Sequence, residues 1–122
     1  MKDDLSSVGI MALETAESVD EVLQRPCVII VNSICGCAAK TMRPAVKEAV
    51  RQGLLPDDTF QVFAGFDVEA TDRARQYFEG YEPSSPAIAF VTDTSVQMIE
   101  RMDIMGRSPE DVFTLIERMT NE

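Results

Sequence analysis

A continuous apolar run stands just before two closely spaced cysteines, and it constrains the fold more than any other stretch. Cys27–Val31 reads CVIIV, so every residue after the cysteine is β-branched. Such a run is typical of a strand that is covered on both faces of a parallel or mixed sheet. We therefore predict that Cys27–Val31 is a central strand, and that Asn32–Ile34 forms the turn after it.

A segment with helical periodicity follows this turn, from Gly36 to Val50. At about 100° per residue, its apolar residues fall on one face and its basic residues on the other. Pro44 lies inside the pattern and predicts a kink, because it lacks an N–H and crowds the carbonyl of Lys40. The helix is thus predicted to pack its apolar face on the sheet and to expose its basic face. The apolar face comprises Met42, Ala45, Val46, Ala49 and Val50, and the basic face comprises Lys40, Arg43, Lys47 and Arg51.

Cys35 and Cys37 lie where this helix is predicted to begin. Unpaired backbone N–H groups and the positive end of the helix dipole stabilise a thiolate there, and only the thiolate attacks a disulfide. The chain contains no histidine, so no imidazole can act as the base of a Cys-His pair. We predict that Cys35 is a nucleophile of lowered pKa, activated by the helix start with help from Lys40 or Arg43.

The spacing of the cysteines points to exchange chemistry. A disulfide between Cys35 and Cys37 would close a small ring across Gly36, the residue best able to adopt the backbone angles required. Strained and exposed disulfides exchange readily, so the pair suits reaction with other sulfurs better than structural cross-linking. Cys27 opens the predicted buried strand, where a cysteine behaves as a small hydrophobe, and we assign it a structural role.

The rest of the chain alternates between predicted helices and strands, although residues 1–14 give no clear signal. The order β-α-β-α-β-β-α, after one extra helix, is the thioredoxin arrangement. It predicts an α/β, thioredoxin-like fold of three layers in a single domain, residues 1–122, with a central mixed β-sheet flanked by helices. Besides the strand and helix above, the predicted elements are a helix capped by Thr15, a strand at Thr59–Ala64, a helix capped by Asp67 and stopped by Gly80, strands at Ala87–Val91 and Val96–Glu100 joined by a turn at Asp93–Thr94, and a helix that begins at Ser108–Pro109.

Several motifs together resemble those of one known family. The runs VNSICGCAA, RPAVKEAV, VFAGFDVEAT, YFEGYEPSSPAIAF and IERMDIMGRS cover nearly the whole chain in the order of the bacilliredoxin family, which are thioredoxin-like bacterial proteins with a C-G-C motif. The resemblance implies a cytoplasmic thiol–disulfide oxidoreductase that removes bacillithiol from mixed disulfides on client proteins. It also implies weak disulfide reductase or isomerase activity.

By position, the resemblance makes Cys35 the attacking cysteine and Cys37 its neighbour. Either Cys37 or a second bacillithiol, or a similar low-molecular-weight thiol, would then resolve the intermediate. The chain departs from the family at Met102, where relatives usually have a histidine. Any role of that histidine in binding or proton transfer is therefore absent or replaced here.

Pro86 stands just before the predicted third strand, next to the E-P-S-S-P motif. In a thioredoxin arrangement this proline lies beside the cysteines after a cis bond, and the residue before it offers its backbone to an extended client. We therefore expect a cis bond between Ser85 and Pro86, and a substrate-binding role for Gly36, Ser85 and Pro86. Asn32 and Ser84 either line the same site or hydrogen-bond their own backbone as turn residues.

Charge and hydropathy limit the partners. The net charge of −10 argues against nucleic acid and anionic membranes as partners. The sequence shows neither a signal-like apolar segment nor an apolar span of about 18 residues. We thus expect a cytoplasmic protein without cofactor or metal. The basic helix face would attract the carboxylates of a small thiol or of an acidic client, or would simply be solvated.

Two other classes of function remain open from the residues alone. Cys35 and Cys37 could bind Cu(I) or zinc in a metal carrier, because soft thiolates select these ions. Tetrahedral zinc wants four ligands, however, and a pair of thiols without histidine supplies two. The third class is a thioredoxin-fold interaction module whose cysteines are idle.

Overall fold

One mixed sheet of five strands organises the part of the chain that the structure describes. The computed structural model describes residues 2–78, 80–81, 83–93 and 95–120. The strands are β1 (Met11–Ala12), β2 (Cys27–Asn32), β3 (Thr59–Phe63), β4 (Ala87–Val91) and β5 (Val96–Ile99). They lie in the order β1-β3-β2-β4-β5, so the prediction of a central strand at Cys27–Val31 is confirmed.

The sheet has a parallel half and an antiparallel half. β3 is parallel to both β1 and β2, whereas β4 is antiparallel to β2 and β5. The β4–β5 hairpin was expected to turn at Asp93–Thr94, of which Thr94 lies outside the described residues. The N–H of Thr92 donates to the carbonyl of Ser95 at 2.8 Å and closes this hairpin.

Helices cover both faces of the sheet. They are α1 (Lys2–Ser6), α2 (Ala16–Val22), α3 (Arg43–Arg51), α4 (Val68–Tyr77), α5 (Arg101–Ile104) and α6 (Pro109–Thr120). The side chains of α1, α3, α5 and α6 form one buried cluster with the sheet, and those of α2 and α4 form a second cluster on the opposite face. This is the predicted thioredoxin-like, three-layer fold. None of these helices is long and apolar enough to cross a membrane.

β2 supplies side chains to both clusters, which is why its sequence is apolar at every position. Val28 and Ile30 point into the cluster of α3 and α6, and Cys27, Ile29 and Val31 point into the cluster of α2 and α4. Successive side chains of a strand face opposite sides of the sheet. A central strand between two helical layers therefore needs apolar residues at consecutive positions rather than at alternate ones.

The predicted caps define the ends of two helices. The hydroxyl of Thr15 accepts the N–H of Ser18 at 3.1 Å, at the start of α2. Ser108 accepts the N–H of Asp111 at 3.2 Å, at the start of α6. Asp67 takes the N-cap position of α4 but makes no capping side-chain bond; its carboxylate instead accepts the N–H of Phe63 at 3.3 Å.

The cysteine-bearing helix includes a π-helical segment, Ala38–Met42, directly before α3. The N–H of Arg43 donates to the carbonyl of Ala38, five residues earlier, which is the π pattern. Pro44, where the sequence predicts a kink, cannot donate to the carbonyl of Lys40. A wide turn just before a proline accommodates that missing bond.

Candidate active site

Cys35 lies at the C-terminal edge of β2, immediately before the cysteine-bearing helix. The carbonyl of Cys35 accepts the N–H groups of Ala38 and Ala39, at 3.0 and 3.2 Å. Both Cys35 and Cys37 are partly exposed and unpaired, and Gly36 between them is exposed. A partly exposed sulfur at a helix start matches the placement predicted from the sequence.

Hydrogen bonds converge on the sulfur of Cys35. The N–H of Cys37 donates to it at 3.2 Å. Burial raises the pKa of Cys35, but the backbone N–H groups of Ala38 and Cys37, and the side chains of Cys37 and Ser33, outweigh burial and lower that pKa. Donors at the helix start stabilise the thiolate, as the sequence predicts. The groups that lower this pKa do not include Lys40 or Arg43, from which the sequence predicted help.

The pKa of Cys37 moves in the opposite direction. Its hydrogen bond to Cys35, its burial and the negative charge of Cys35 raise it, while the nearby charge of Arg101 lowers it in part. Within the couple, Cys35 is therefore the more readily ionised cysteine and Cys37 the less readily ionised one. A negative charge on one sulfur disfavours ionisation of its neighbour, so the two cysteines do not titrate independently.

Cys27 differs from this couple. Its side chain is 3% exposed within the sheet, and burial raises its pKa to about 11. A buried thiol of that pKa is unreactive at neutral pH. The predicted structural role of Cys27 is consistent with this environment.

The turn before Cys35 is held by buried polar groups. Arg43 is 5% exposed and its guanidinium donates to Asn32 Oδ1 and to the carbonyl of Ser33, both at 3.0 Å. The prediction that Arg43 belongs to a solvated basic face is therefore wrong. The helical periodicity omits what covers it, namely the turn before the helix and Asp4 of α1, whose Oδ2 lies 3.5 Å from Arg43 Nε.

Asn32 takes the second of the two roles that the sequence leaves open, that of a turn residue bonded to backbone. Its side chain is 0% exposed and donates to Gln61 Oε1 at 3.1 Å, while its Oδ1 accepts the N–H of Ser33 at 2.9 Å. The predicted substrate contact at Asn32 does not fit this burial, since a substrate cannot touch a side chain without accessible surface. Asn32 shapes the turn from below.

The loop before β4 lies beside the end of β2. Val31 pairs with Ala87 in the antiparallel register, so Pro86 and Ser85 come next to the turn that leads to Cys35. The Ser85–Pro86 bond is cis, as predicted. Pro86 is buried and Ser85 is partly exposed. Glu82 of the E-P-S-S-P motif lies outside the described residues.

Arg101 is the cation that the sequence reasoning missed. It opens α5, is exposed, and its charge acts on Cys37. Met102, the position where the sequence departs from the resemblance, is 77% exposed on the same short helix. The segment after this short helix contacts the cysteine-bearing helix, because the hydroxyl of Thr41 donates to the carbonyl of Arg107 at 3.1 Å. The signal that could have identified Arg101 is its place in IERMDIMGRS, one of the runs that resemble the family.

The described part of the chain places no third metal-binding side chain beside Cys35 and Cys37. No three Cys, Asp or Glu side chains there lie close enough together to hold an ion. Within one copy, Cys35 and Cys37 would therefore offer two ligands.

The model of a protein family described as Disulphide isomerase matches residues 1–122. Bacilliredoxins of Staphylococcus aureus strains MRSA252 and NCTC 8325 are each 44% identical to this chain over 124 residues, which cover 99% of this chain and 86% of the relative. The chain belongs to the bacilliredoxin family.

Membership in the bacilliredoxin family makes the chain one of a group of thiol–disulfide redox proteins. Such a protein exchanges disulfides through a thiolate that attacks a disulfide sulfur. In this bacilliredoxin, Cys35 and Cys37 are the partly exposed cysteines, and Cys27 is the buried one. The site geometry therefore makes this couple the candidate for disulfide exchange.

Proposed function

We propose that this bacilliredoxin removes bacillithiol from mixed disulfides on client proteins, with Cys35 as the nucleophile. The observation that supports it most is the set of hydrogen-bond donors on the sulfur of Cys35 at the start of a helix, including the N–H of Cys37 at 3.2 Å. Such donors favour the thiolate form of Cys35 without a histidine.

The first step is a two-electron exchange. The thiolate of Cys35 attacks the bacillithiol sulfur of the mixed disulfide, and the client cysteine leaves as a thiolate. A new disulfide then joins Cys35 to bacillithiol, so the client is reduced and Cys35 is oxidised. The leaving thiolate takes a proton from solvent or from the neighbouring thiol of Cys37.

The second step releases bacillithiol. Cys37 loses its proton and attacks the sulfur of Cys35, which forms a Cys35–Cys37 disulfide and frees a bacillithiol thiolate. Alternatively, a second small thiol attacks the adduct and leaves Cys35 reduced. The raised pKa of Cys37 keeps it protonated until Cys35 has lost its charge by forming the adduct. The order of the two attacks follows from this difference.

Backbone groups near the cysteines are proposed to align the client. Ser85 is partly exposed next to the end of β2, and Gly36 leaves the space above the cysteines open. An extended client segment would bond to the backbone of Ser85 and lie across Pro86. Its disulfide would then face Cys35.

Mass spectrometry of trapped adducts tests this function. The Cys37→Ser variant, incubated with oxidised bacillithiol, should accumulate one bacillithiol adduct, located on Cys35. The Cys35→Ser variant should form none, and Cys27→Ser should behave as the wild type because that residue is buried. A Cys35→Ser variant that still reduces a bacillithiolated client as fast as the wild type would show that Cys35 is not the nucleophile.

Disulfide isomerisation is a second candidate, which the description of the matched family favours. Cys35 would attack a non-native disulfide of a protein and later be released by another cysteine of that same protein. Reactivation of ribonuclease with scrambled disulfides measures it directly. The wild type should speed reactivation and Cys35→Ser should not, whereas equal rates would exclude this activity.

A further inference from the structure

A buried arginine and the nucleophile are joined through the turn at Asn32–Ser33. We propose that Arg43 is a positioning residue for Cys35: its guanidinium fixes Ser33 from beneath, and Ser33 in turn fixes the sulfur and backbone of the nucleophile. The inference rests on the proposed role of Cys35.

The first link is between Arg43 and Ser33. One guanidinium nitrogen of Arg43 donates to both the carbonyl of Ser33 and Asn32 Oδ1, at 3.0 Å each. Asn32 Oδ1 also accepts the N–H of Ser33 at 2.9 Å. Ser33 is therefore held at its N–H and at its carbonyl, and the rotation of its peptide planes is restricted.

The second link is between Ser33 and Cys35. The N–H of Cys35 donates to the hydroxyl of Ser33 at 3.3 Å, and the Ser33 side chain also stabilises the Cys35 sulfur. Ser33 is only 6% exposed, so water competes weakly for these bonds. Movement of Ser33 would thus change both the direction of the Cys35 backbone and the donors around its sulfur.

Arg43 is itself held from the side of α1. Asp4 lies 3.5 Å from Arg43 Nε and accepts a hydrogen bond from Lys47 Nζ at 3.1 Å. Within the described residues, Arg43 Nε makes no hydrogen bond. The carboxylate of Asp4 therefore acts on the guanidinium through its charge. A buried guanidinium with a carboxylate beside it is held in place far better than a solvated one.

Two other facts argue against a merely structural ion pair. Both good hydrogen bonds of Arg43 go to the two residues immediately before Ile34 and Cys35, and the contact to Asp4 is the longer one. Gln61 already satisfies the other end of the Asn32 amide. The shortest polar contacts of Arg43 are thus those with the turn that carries the nucleophile.

The test measures the alkylation rate of Cys35 against pH in a Cys37→Ser background. Arg43→Met should move the midpoint towards that of an ordinary cysteine and lower the rate at pH 7 roughly three- to tenfold. Arg43→Lys should recover part of the lost alkylation rate, because lysine keeps the positive charge but lacks the planar guanidinium. Arg51→Met is the matched control, since Arg51 lies exposed on the same helix and pairs only with Glu48 among described residues.

A double-mutant comparison tests the route through Ser33. Ser33→Ala should shift the midpoint in the same direction, and adding Arg43→Lys to it should shift the midpoint no further. An Arg43→Met protein with lower thermal stability and an unchanged midpoint would overturn the inference, while bacillithiol trapped on Cys35 would leave the proposed function intact. If Arg43→Met does not fold, an unchanged midpoint in Ser33→Ala overturns it equally.

Discussion

The backbone N–H of Cys37 donates to the sulfur of Cys35 at 3.2 Å. This bond stabilises charge on Cys35, whereas the side-chain hydrogen bond between the two cysteines, burial and the charge of Cys35 disfavour charge on Cys37. A chain without histidine thereby obtains one cysteine of lowered pKa beside one of raised pKa. The asymmetry makes several outcomes measurable.

The two cysteines should be alkylated at different rates. Cys35 should react with iodoacetamide with a midpoint below about 8.5, the value of a free cysteine, and Cys37 with a midpoint above it. Peptide mass spectrometry after short labelling at a series of pH values reads both sites in one experiment. Denatured protein serves as the control, and its cysteines should react alike. A midpoint for Cys35 at or above that of the denatured control would remove the basis for its role as nucleophile.

Arg101 should influence the second step more than the first. Its positive charge lowers the pKa of Cys37, so Arg101→Gln should raise that pKa further. The side chain is exposed and screened, and we expect release of bacillithiol from the adduct to slow roughly two- to fivefold at pH 7. Rapid mixing separates this step from release of the client thiol, which should change little.

Arg118→Gln on the exposed side of α6 controls for net charge. An equal loss in both variants would show that Arg101 acts through the overall field. Equal slowing of both steps by Arg101→Gln would place its effect on substrate binding instead.

The elements that the sequence predicts well are those with a strong local pattern. β2, the cysteine-bearing helix and the β4–β5 hairpin each follow from periodicity and from turn residues. β1 does not, because Met11–Ala12 is two residues long and Met11 is 64% exposed. It exists because β3 offers a free edge for parallel pairing, a property of a segment far along the chain.

The candidate site divides in the same way. Cys35 at a helix start is local information, and the sequence predicts it. The burial of Arg43 and Asn32 is not local information, because their partners Asp4 and Gln61 come from α1 and β3. An arginine on a helix looks solvated until the segments that cover it are placed. The identity of Arg43 as a support for the turn therefore needed tertiary structure.

The buried amide pair of Asn32 and Gln61 should matter for stability. Gln61 Nε2 also donates to the carbonyl of Ile10 at 3.2 Å, so Gln61→Leu leaves a buried donor and a buried acceptor unpaired. We expect a loss of about 1–3 kcal/mol in the free energy of unfolding. Urea denaturation measures it, with Gln97→Leu as the control, since the side chain of Gln97 is exposed on β5. A change as small as that of the control would mean that water replaces these bonds.

Asp4 should make stability depend on pH in the acidic range. A hydrogen bond from Lys47 lowers its pKa; burial opposes this effect, and the charges of Lys47 and Arg43 add to it. A carboxylate with a lower pKa in the folded state stabilises the fold above its unfolded pKa, and loses that contribution as the pH falls through the folded value. Asp4→Asn should therefore be less stable than the wild type at pH 7.

The difference in stability between Asp4→Asn and the wild type should shrink as the pH falls below about 4, the usual pKa of an unfolded aspartate, and then through the lower folded pKa of Asp4. Asp4 is 44% exposed, so the loss at pH 7 should stay below about 1 kcal/mol. Urea midpoints at several pH values test this, with Asp72→Asn on the exposed side of α4 as the control. A difference that persists unchanged at low pH would show that the asparagine disturbs packing, and that the charge pairs of Asp4 contribute nothing measurable.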